Sequence, residues 1–310
     1  MCQQNKIDFS TPILTDGGLE TDFIFNRDID LPHFASFPLL ERPDHKEIFG
    51  SYYREYLELA KTARTGFILE SPTWRASADW GFKLGYSKDD LCRLNKQAIE
   101  MLKEIRAEYE DTNEQILISG CIGPRFDGYV FEKAMTAEQS KEFNSLQIKV
   151  LKEACADFVS VLTMTNIDEA LGVALAAQEH EIDVVVSFTV ELDGNLPSGE
   201  RLEDAINRID EITDGYPIYY MINCAHPSHF AGRLAEDGSW KLRVKGVQAN
   251  ASCKSHEELD NATELDPGDK EDLAAWHLTL KKHLPNLMIY GGCCGTDISH
   301  VRSICEKIIQ

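Results

Sequence analysis

Short apolar runs rich in β-branched residues recur along the chain at nearly regular intervals. They fall at Ile13-Leu14, Gly66 to Leu69, Ile116 to Ser119, Phe158 to Leu162, Val184 to Thr189, Ile218 to Ile222, Val244 to Val247 and Leu287 to Tyr290. Each is strand-sized. Between them the apolar positions follow helical spacing. Ile48, Tyr52, Tyr56 and Leu59 stand at i, i+4, i+8 and i+11, and Phe143, Leu146 and Val150 at i, i+3 and i+7. Ile298 to Ile308 reads as a closing helix. Eight strands alternating with helices predict one α/β domain over residues 1–310, a single parallel (β/α)8 TIM barrel. The competing arrangement is an open doubly wound sheet. Against it, the first strand runs into Asp16-Gly17-Gly18 rather than a phosphate-cradling Gly-x-Gly-x-x-Gly, and neither that pattern nor a P-loop occurs in the chain. The polar stretches Leu192 to Glu200 and Asp260 to Asp272 read as loops or helix approaches, not domain linkers.

Composition narrows the class. With 43% hydrophobic and 27% charged residues the chain has enough apolar surface for a sizeable core, which excludes disorder and fibre. The strongest apolar run, Val184 to Val190, is interrupted by Ser187 and Thr189 and falls far short of the roughly 18 residues of a membrane helix. The opening Met1-Cys2-Gln3-Gln4-Asn5 has neither a basic start nor an apolar stretch, so the expectation is no secretory signal, no lipid on Cys2 and a cytoplasmic location. A net charge of -21 repels phosphate backbones and anionic lipids, so neither nucleic acid nor membrane is an expected partner. Oligomeric state stays open. The nine cysteines are scattered apart from the adjacent Cys293-Cys294; in a reducing compartment such thiols are buried fillers, metal ligands or nucleophiles.

In a closed parallel barrel, chemistry sits where strands end and βα loops begin. The unusual residues fall there: Asp16-Gly17-Gly18-Leu19-Glu20-Thr21, Glu70-Ser71-Pro72-Thr73-Trp74-Arg75, Gly120-Cys121-Ile122-Gly123-Pro124, Asn223-Cys224-Ala225-His226 and Gly291-Gly292-Cys293-Cys294-Gly295. Strands six and eight flank only strand seven, so Cys224, Cys293 and Cys294 are candidates to meet at one face. Three thiolates hold a tetrahedral Zn²⁺ with one position open, the layout of a catalytic site. The flanking glycines let adjacent cysteines reach one ion. Thr296 or Asp297 would cap the next helix, whose dipole would favour thiolate over thiol. A strand-end cysteine is also a common buried filler, and the residues alone leave open whether Cys224 joins the pair. Zn²⁺ with three thiolates carries a net charge of -1, which suits a fourth sulfur better than a carbonyl. Coordination would bring a thiol from about 8.5 to below neutrality, ready to attack a carbon bearing a good leaving group. The alternative ligand set Cys224, His226 and His229 fits no common zinc spacing. Cys121 reads as filler, His300 as packing or surface, and Cys2, Cys92, Cys155, Cys253 and Cys305 carry no chemical assignment.

These motifs, with Ser187-Phe188-Thr189, resemble the homocysteine S-methyltransferase family over about residues 12 to 308. The resemblance implies a zinc-dependent (β/α)8 barrel that methylates homocysteine to methionine, in methionine biosynthesis. It implies Cys224, Cys293 and Cys294 as the catalytic metal ligands, Asp16 and Gly17 as lining the amino-acid thiol pocket, and Asn223 as orienting the metal loop. Asp16-Gly17 is also ordinary turn chemistry. Two departures stand out. Where the family has Glu-Thr after the fourth strand this chain has Leu162-Thr163, and the usual Thr-Asn-Thr-aromatic after the second is Ser71-Pro72-Thr73-Trp74-Arg75. Glu70 either takes over the acceptor's ammonium or is an interior residue with its own partner. The expected partners are a small-molecule thiol acceptor and a methyl donor. Folate- and cobalamin-using members carry extra modules and betaine users a longer C-terminal extension, so a small sulfonium, S-methylmethionine or S-adenosylmethionine, is the expected donor, with Trp74, Phe126 and Tyr129 as candidate faces for its charge. The competing functions are a zinc-dependent lyase or hydrolase of the barrel class and a non-catalytic, redox-sensitive metal-binding member of the family.

Overall fold

The computed structural model describes residues 5–109, 114–131 and 133–309, so Cys2 and the start of the chain lie outside it. Eight strands, β1 (Ile13–Leu14), β2 (Gly66–Glu70), β3 (Ile116–Ile122), β4 (Phe158–Met164), β5 (Val184–Phe188), β6 (Tyr219–Asn223), β7 (Val244–Ala249) and β8 (Ile289–Gly292), each pair in parallel with the next. β1 also pairs with β8, through Ile13–Ile289 and Leu14–Tyr290, which closes the barrel. This is the predicted TIM architecture. Several strands run past their apolar signal, β3 to Ile122, β4 to Met164 and β8 to Gly292. The ladder needs only backbone groups, so Gln248–Gly291 pairs as well as Val247–Tyr290 does.

The strand period of two explains why the signal fades. Ile13, Ile68, Leu117, Phe158, Val185, Tyr219, Met221 and Ile289 form an apolar plug inside the barrel. Two residues further along the same faces stand Thr15, Glu70, Ser119, Ser160, Ser187, Asn223 and Gly291. Ser119 Oγ donates to Ser160 Oγ at 2.6 Å, and Gln248 Nε2 donates to Thr15 Oγ1 at 2.9 Å. The interior therefore passes from apolar at the N-terminal end of the strands to polar at the C-terminal end, where a ligand would enter.

A second, larger apolar layer lies between the sheet and the outer helices. Tyr52, Tyr56 and Leu59 of the helix His45–Ala63 are buried in it, as their spacing predicts. The stripe Phe143, Leu146 and Val150 is only half-buried, whereas the deeply buried face of Ala137–Glu153 is Ser140, Asn144, Gln147, Ile148 and Leu151. The reason is polar: Gln147 Nε2 donates to the Thr73 carbonyl and to Asn95 Oδ1, both at 3.1 Å, and so supports the loop after β2. Short helices also interrupt the βα loops at Leu19–Thr21, Ala78–Lys83 and His256–Asp260, elements too brief to show a period. Among the described residues no helix is long and apolar enough to cross a membrane.

Candidate active site

A cavity of about 580 Å³ opens at the C-terminal ends of the strands and is lined by Asp16, Gly17, Glu70, Trp74, Asn223, Cys224, Cys293 and Cys294, the sequence-predicted set. That volume is ordinary for small-molecule ligands. The ligand atoms of Cys224, Cys293 and Cys294 lie within 4.8 Å of one another. Cys224 Sγ and Cys294 Sγ are 3.7 Å apart, close to the edge of about 3.8 Å for a tetrahedron with metal–sulfur bonds of about 2.3 Å. Cys224 and Cys293 are in disulfide contact, their Cα atoms 5.3 Å apart. This pairing was not anticipated from the sequence; sulfurs gathered tightly enough for one ion are also close enough to bond.

The backbone holds the three sulfurs from several sides. Cys293 N donates to the Ala249 carbonyl at 2.8 Å, Ala251 N to the Cys294 carbonyl at 3.1 Å, and Gly292 N to the Asp16 carbonyl at 2.9 Å, so β7 and β1 clamp the turn. Thr296 Oγ1 donates to the Cys293 carbonyl at 2.7 Å. Asp297, not Thr296, caps the helix Ile298–Ile309, accepting from Ser299 N at 2.8 Å and His300 N at 3.3 Å. Cys224 has φ +53°, a strained left-handed conformation for a non-glycine residue. Its carbonyl accepts from Asn250 Nδ2 at 3.0 Å and contacts His256 Nε2 at 2.9 Å. Asn223 joins β4, β5 and the loop of Cys293: Oδ1 accepts from Thr163 N at 2.9 Å and Ser187 Oγ at 2.6 Å, while Nδ2 reaches Thr163 Oγ1 at 2.8 Å and Cys293 Sγ at 4.0 Å.

The electrostatics correct one expectation. Burial pushes the Cys294 thiol up to about 11, so the nearby helix terminus does not by itself produce a thiolate. A divalent cation among the three sulfurs would supply the missing stabilisation, which is the sense in which this donor set fits a metal.

Carboxylates gather in the same cavity. Asp16 is held well above the usual carboxylate range, first by burial and then by the charge of Glu70. Burial also raises Glu70, to about 7; Gln248 Nε2 donates to its Oε2 at 3.3 Å. Glu20, raised by burial, accepts from Ser36 Oγ at 2.8 Å. The tyrosines of the first long helix fix these positions, Tyr52 Oη donating to the Gly17 carbonyl at 3.1 Å and Tyr53 Oη to the Glu70 carbonyl at 2.6 Å.

Of the expected aromatic faces, Trp74 and Tyr129 line the cavity. Phe126 does not: it lies in a separate hollow with Arg125, Lys133 and Phe143. Tyr129 stacks on His256 at 4.2 Å between centroids, which covers one of its faces. His226 and His229 are no metal ligands here. His226 Nδ1 accepts from Ser228 N at the start of Pro227–Leu234, and His229 Nε2 contacts the Cys253 carbonyl at 2.9 Å. Cys121 is buried at the cavity wall, outside the three-sulfur group. His300 is buried and bridges Asp297 Oδ1 and the Pro267 carbonyl, both at 2.8 Å, a packing role. Leu162 and Thr163 stand within β4 rather than after it. Glu20, Gln248, Trp80, His33 and the segment 259–266 also reach the cavity and were given no role from sequence. Only Glu20 had a signal, four residues from Asp16 in the same strand-end run.

Comparison with known proteins agrees with this geometry. A curated relative, homocysteine S-methyltransferase 2 of Arabidopsis thaliana, is 22% identical over 95% of this chain and 92% of its own. The selenocysteine Se-methyltransferase of Brassica oleracea var. italica is 23% identical over 96% and 89%. The metallated form of the homocysteine methyltransferase MmuM from Escherichia coli superposes with a TM-score of 0.74 at 16% identity, covering 96% of both chains, and so shares the fold. The family model for homocysteine S-methyltransferase matches residues 13–308. With that match running almost from end to end of a closed barrel whose three cysteine sulfurs meet in its mouth, the chain belongs to the homocysteine S-methyltransferase family, enzymes that methylate a thiol.

Proposed function

We propose that this enzyme transfers a methyl group from a small sulfonium donor, S-methylmethionine or S-adenosylmethionine, to the thiol of homocysteine, with Zn²⁺ held by Cys224, Cys293 and Cys294. The observation that carries the reading is the convergence of three cysteine sulfurs on a cavity that also holds the carboxyls of Asp16, Glu20 and Glu70. Three sulfur donors suit Zn²⁺, and Zn²⁺ bound there would keep the acceptor sulfur as thiolate at neutral pH. Working ligands must be reduced, which fits a cytoplasmic location.

The remaining work belongs to the chain. Asp16 and Glu70 receive the acceptor's ammonium, Glu70 standing in for the carboxylate that Leu162 lacks. Gly17 leaves room beside Asp16: a Cβ there would stand 2.7 Å from Tyr56 Oη. Asn223 holds the loop of Cys293, and Trp74 offers its ring to the sulfonium. The acceptor sulfur forms the new carbon–sulfur bond as the donor's methyl–sulfur bond breaks, its electron pair staying on the neutral thioether that leaves. Catalysis is then mainly alignment of the two sulfurs with the methyl between them. The Brassica relative's name widens the acceptor question to selenols.

The test is metal content by mass spectrometry and methionine formation from homocysteine with each sulfonium, for reduced wild-type protein and Cys294→Ala. Wild type should carry about one zinc per chain and turn over, and the variant should lose both. Full activity in zinc-free Cys294→Ala overturns the proposal.

A further inference from the structure

Arg75 is the least explained charge in the cavity. It is 6% exposed yet lines the site. Its guanidinium packs against two indoles, Cζ lying 3.7 Å from the Trp80 ring centre and 4.1 Å from that of Trp74. Contacts that close satisfy the cation through ring faces and use none of its N–H donors. Those donors are under-used. Nη1 donates to the Phe126 carbonyl at 2.8 Å, Nε is buried without a hydrogen-bond partner, and the nearest carboxylate among the described residues, the more exposed Asp127, is 4.0 Å from Nη2. Burial lowers the group to about 10, which still leaves it a cation at neutral pH. Buried guanidinium edges without a full set of acceptors match the bidentate geometry of a carboxylate.

Topology says which molecule brings it. Arg75 follows β2, and Cys224 follows β6, four strands away around an eight-stranded barrel and therefore across its mouth. An acceptor with its sulfur at the thiols and its ammonium at Asp16 and Glu70 occupies the inner cavity. Trp74 lines the same cavity with its ring centre 4.1 Å from the Arg75 guanidinium, so a second molecule that sets its sulfonium against Trp74 has Arg75 within reach of its other end.

We infer that Arg75 is a binding residue for the carboxylate of the methyl donor, so that the site selects a donor carrying both a sulfonium and a free carboxylate. This rests on the methyltransferase reading above and adds a binding residue to its donor site.

The experiment measures calorimetric binding of S-methylmethionine and of its carboxamide to the zinc-loaded enzyme without acceptor, for wild type, Arg75→Met and Arg75→Lys. Wild type should bind the acid at least about tenfold more tightly than the amide. Arg75→Met should bring that ratio close to one, and Arg75→Lys should retain part of it. Equal binding of acid and amide by wild type, a comparison that needs no variant, overturns the inference, as does a wild-type ratio in folded Arg75→Met. Methionine formation by wild type is followed in parallel. If the acid preference persists and depends on Arg75 while no methyl transfer occurs, the reaction assignment fails and the carboxylate site stands; normal transfer without the preference is the reverse.

Discussion

Glu70 allows a quantitative test of how the cavity stores charge. Its carboxyl is raised from 4.5 to about 7, mainly by burial. A carboxyl raised by folding contributes most to stability when protonated, so stability falls as pH rises from the unfolded value through the folded one. At about 1.4 kcal/mol per pKa unit, the penalty at pH 8 is about 3 kcal/mol, against less than about 1 kcal/mol at pH 5. Glu70→Gln removes the charge while keeping an acceptor for Gln248, and the Tyr53 bond is to the backbone and survives. The variant should therefore be more stable than wild type by about 2 kcal/mol or more at pH 8, with most of the difference gone at pH 5. Asp16 strengthens the effect, because the charge of Glu70 is the second largest cause of its own elevation. Urea unfolding of reduced protein in chelator removes metal linkage; the midpoint of the variant should rise by several tenths molar or more at pH 8. A difference between variant and wild type that is the same at both pH values would refute a strained, buried carboxylate.

Two further outcomes follow from packing and from the last helix. A Cβ at Gly18 would stand 2.5 Å from the Cys293 carbonyl oxygen, a backbone contact that cannot rotate away; Gly18→Ala should cost about 1–3 kcal/mol in stability and weaken zinc retention in a chelator competition, whereas Gly232→Ala, with open space around it, should leave zinc retention unchanged. His300 is raised by its bonds to Asp297 and Pro267, against the lowering effect of burial, and Asp297 is held well below the usual carboxylate range, first by His300. The His300 contribution is present below pH 6.5 and fades as pH rises through the raised value, so His300→Asn should lower the thermal midpoint more at pH 6 than at pH 9.

The barrel was legible because its strands need apolar residues on the face that meets the helices, and those runs recur whatever the interior does. The cluster of three cysteines was legible because Gly291-Gly292-Cys293-Cys294-Gly295 combines a tight turn with two thiols, a pairing that packing alone seldom requires. Phe126 was misplaced because its aromatic character carries no direction; it lines the neighbouring hollow beside Phe143. The buried polar face of Ala137–Glu153 gave no signal for the converse reason: Asn144 and Gln147 add nothing to an apolar stripe, and their burial rests on backbone and side-chain partners. Gln248 and Glu20 matter through neighbours more than a hundred and about sixteen residues away, contacts that no local pattern encodes.

The same carboxylates make ligand binding and proton binding interdependent. With Glu70 at about 7, roughly half the molecules carry its proton at pH 7. An ammonium seated between Asp16 and Glu70 favours the ionised forms, and Glu20, the neighbouring carboxylate, adds repulsion between like charges that the ligand's cation relieves. Methionine isolates the effect, since it has the acceptor's ammonium and carboxylate but no thiol to ionise. Its binding at pH 7 should release about half a proton from Glu70, with any further release coming from Asp16. Titration calorimetry in buffers of different ionisation enthalpy reads that number directly, and the affinity should tighten from pH 6 to pH 8 by linkage. In Glu70→Gln the Glu70 share of the release should vanish and the affinity should weaken. Proton uptake, or release unchanged in the variant, would show that the ammonium is held elsewhere and that the acidic wall has another purpose.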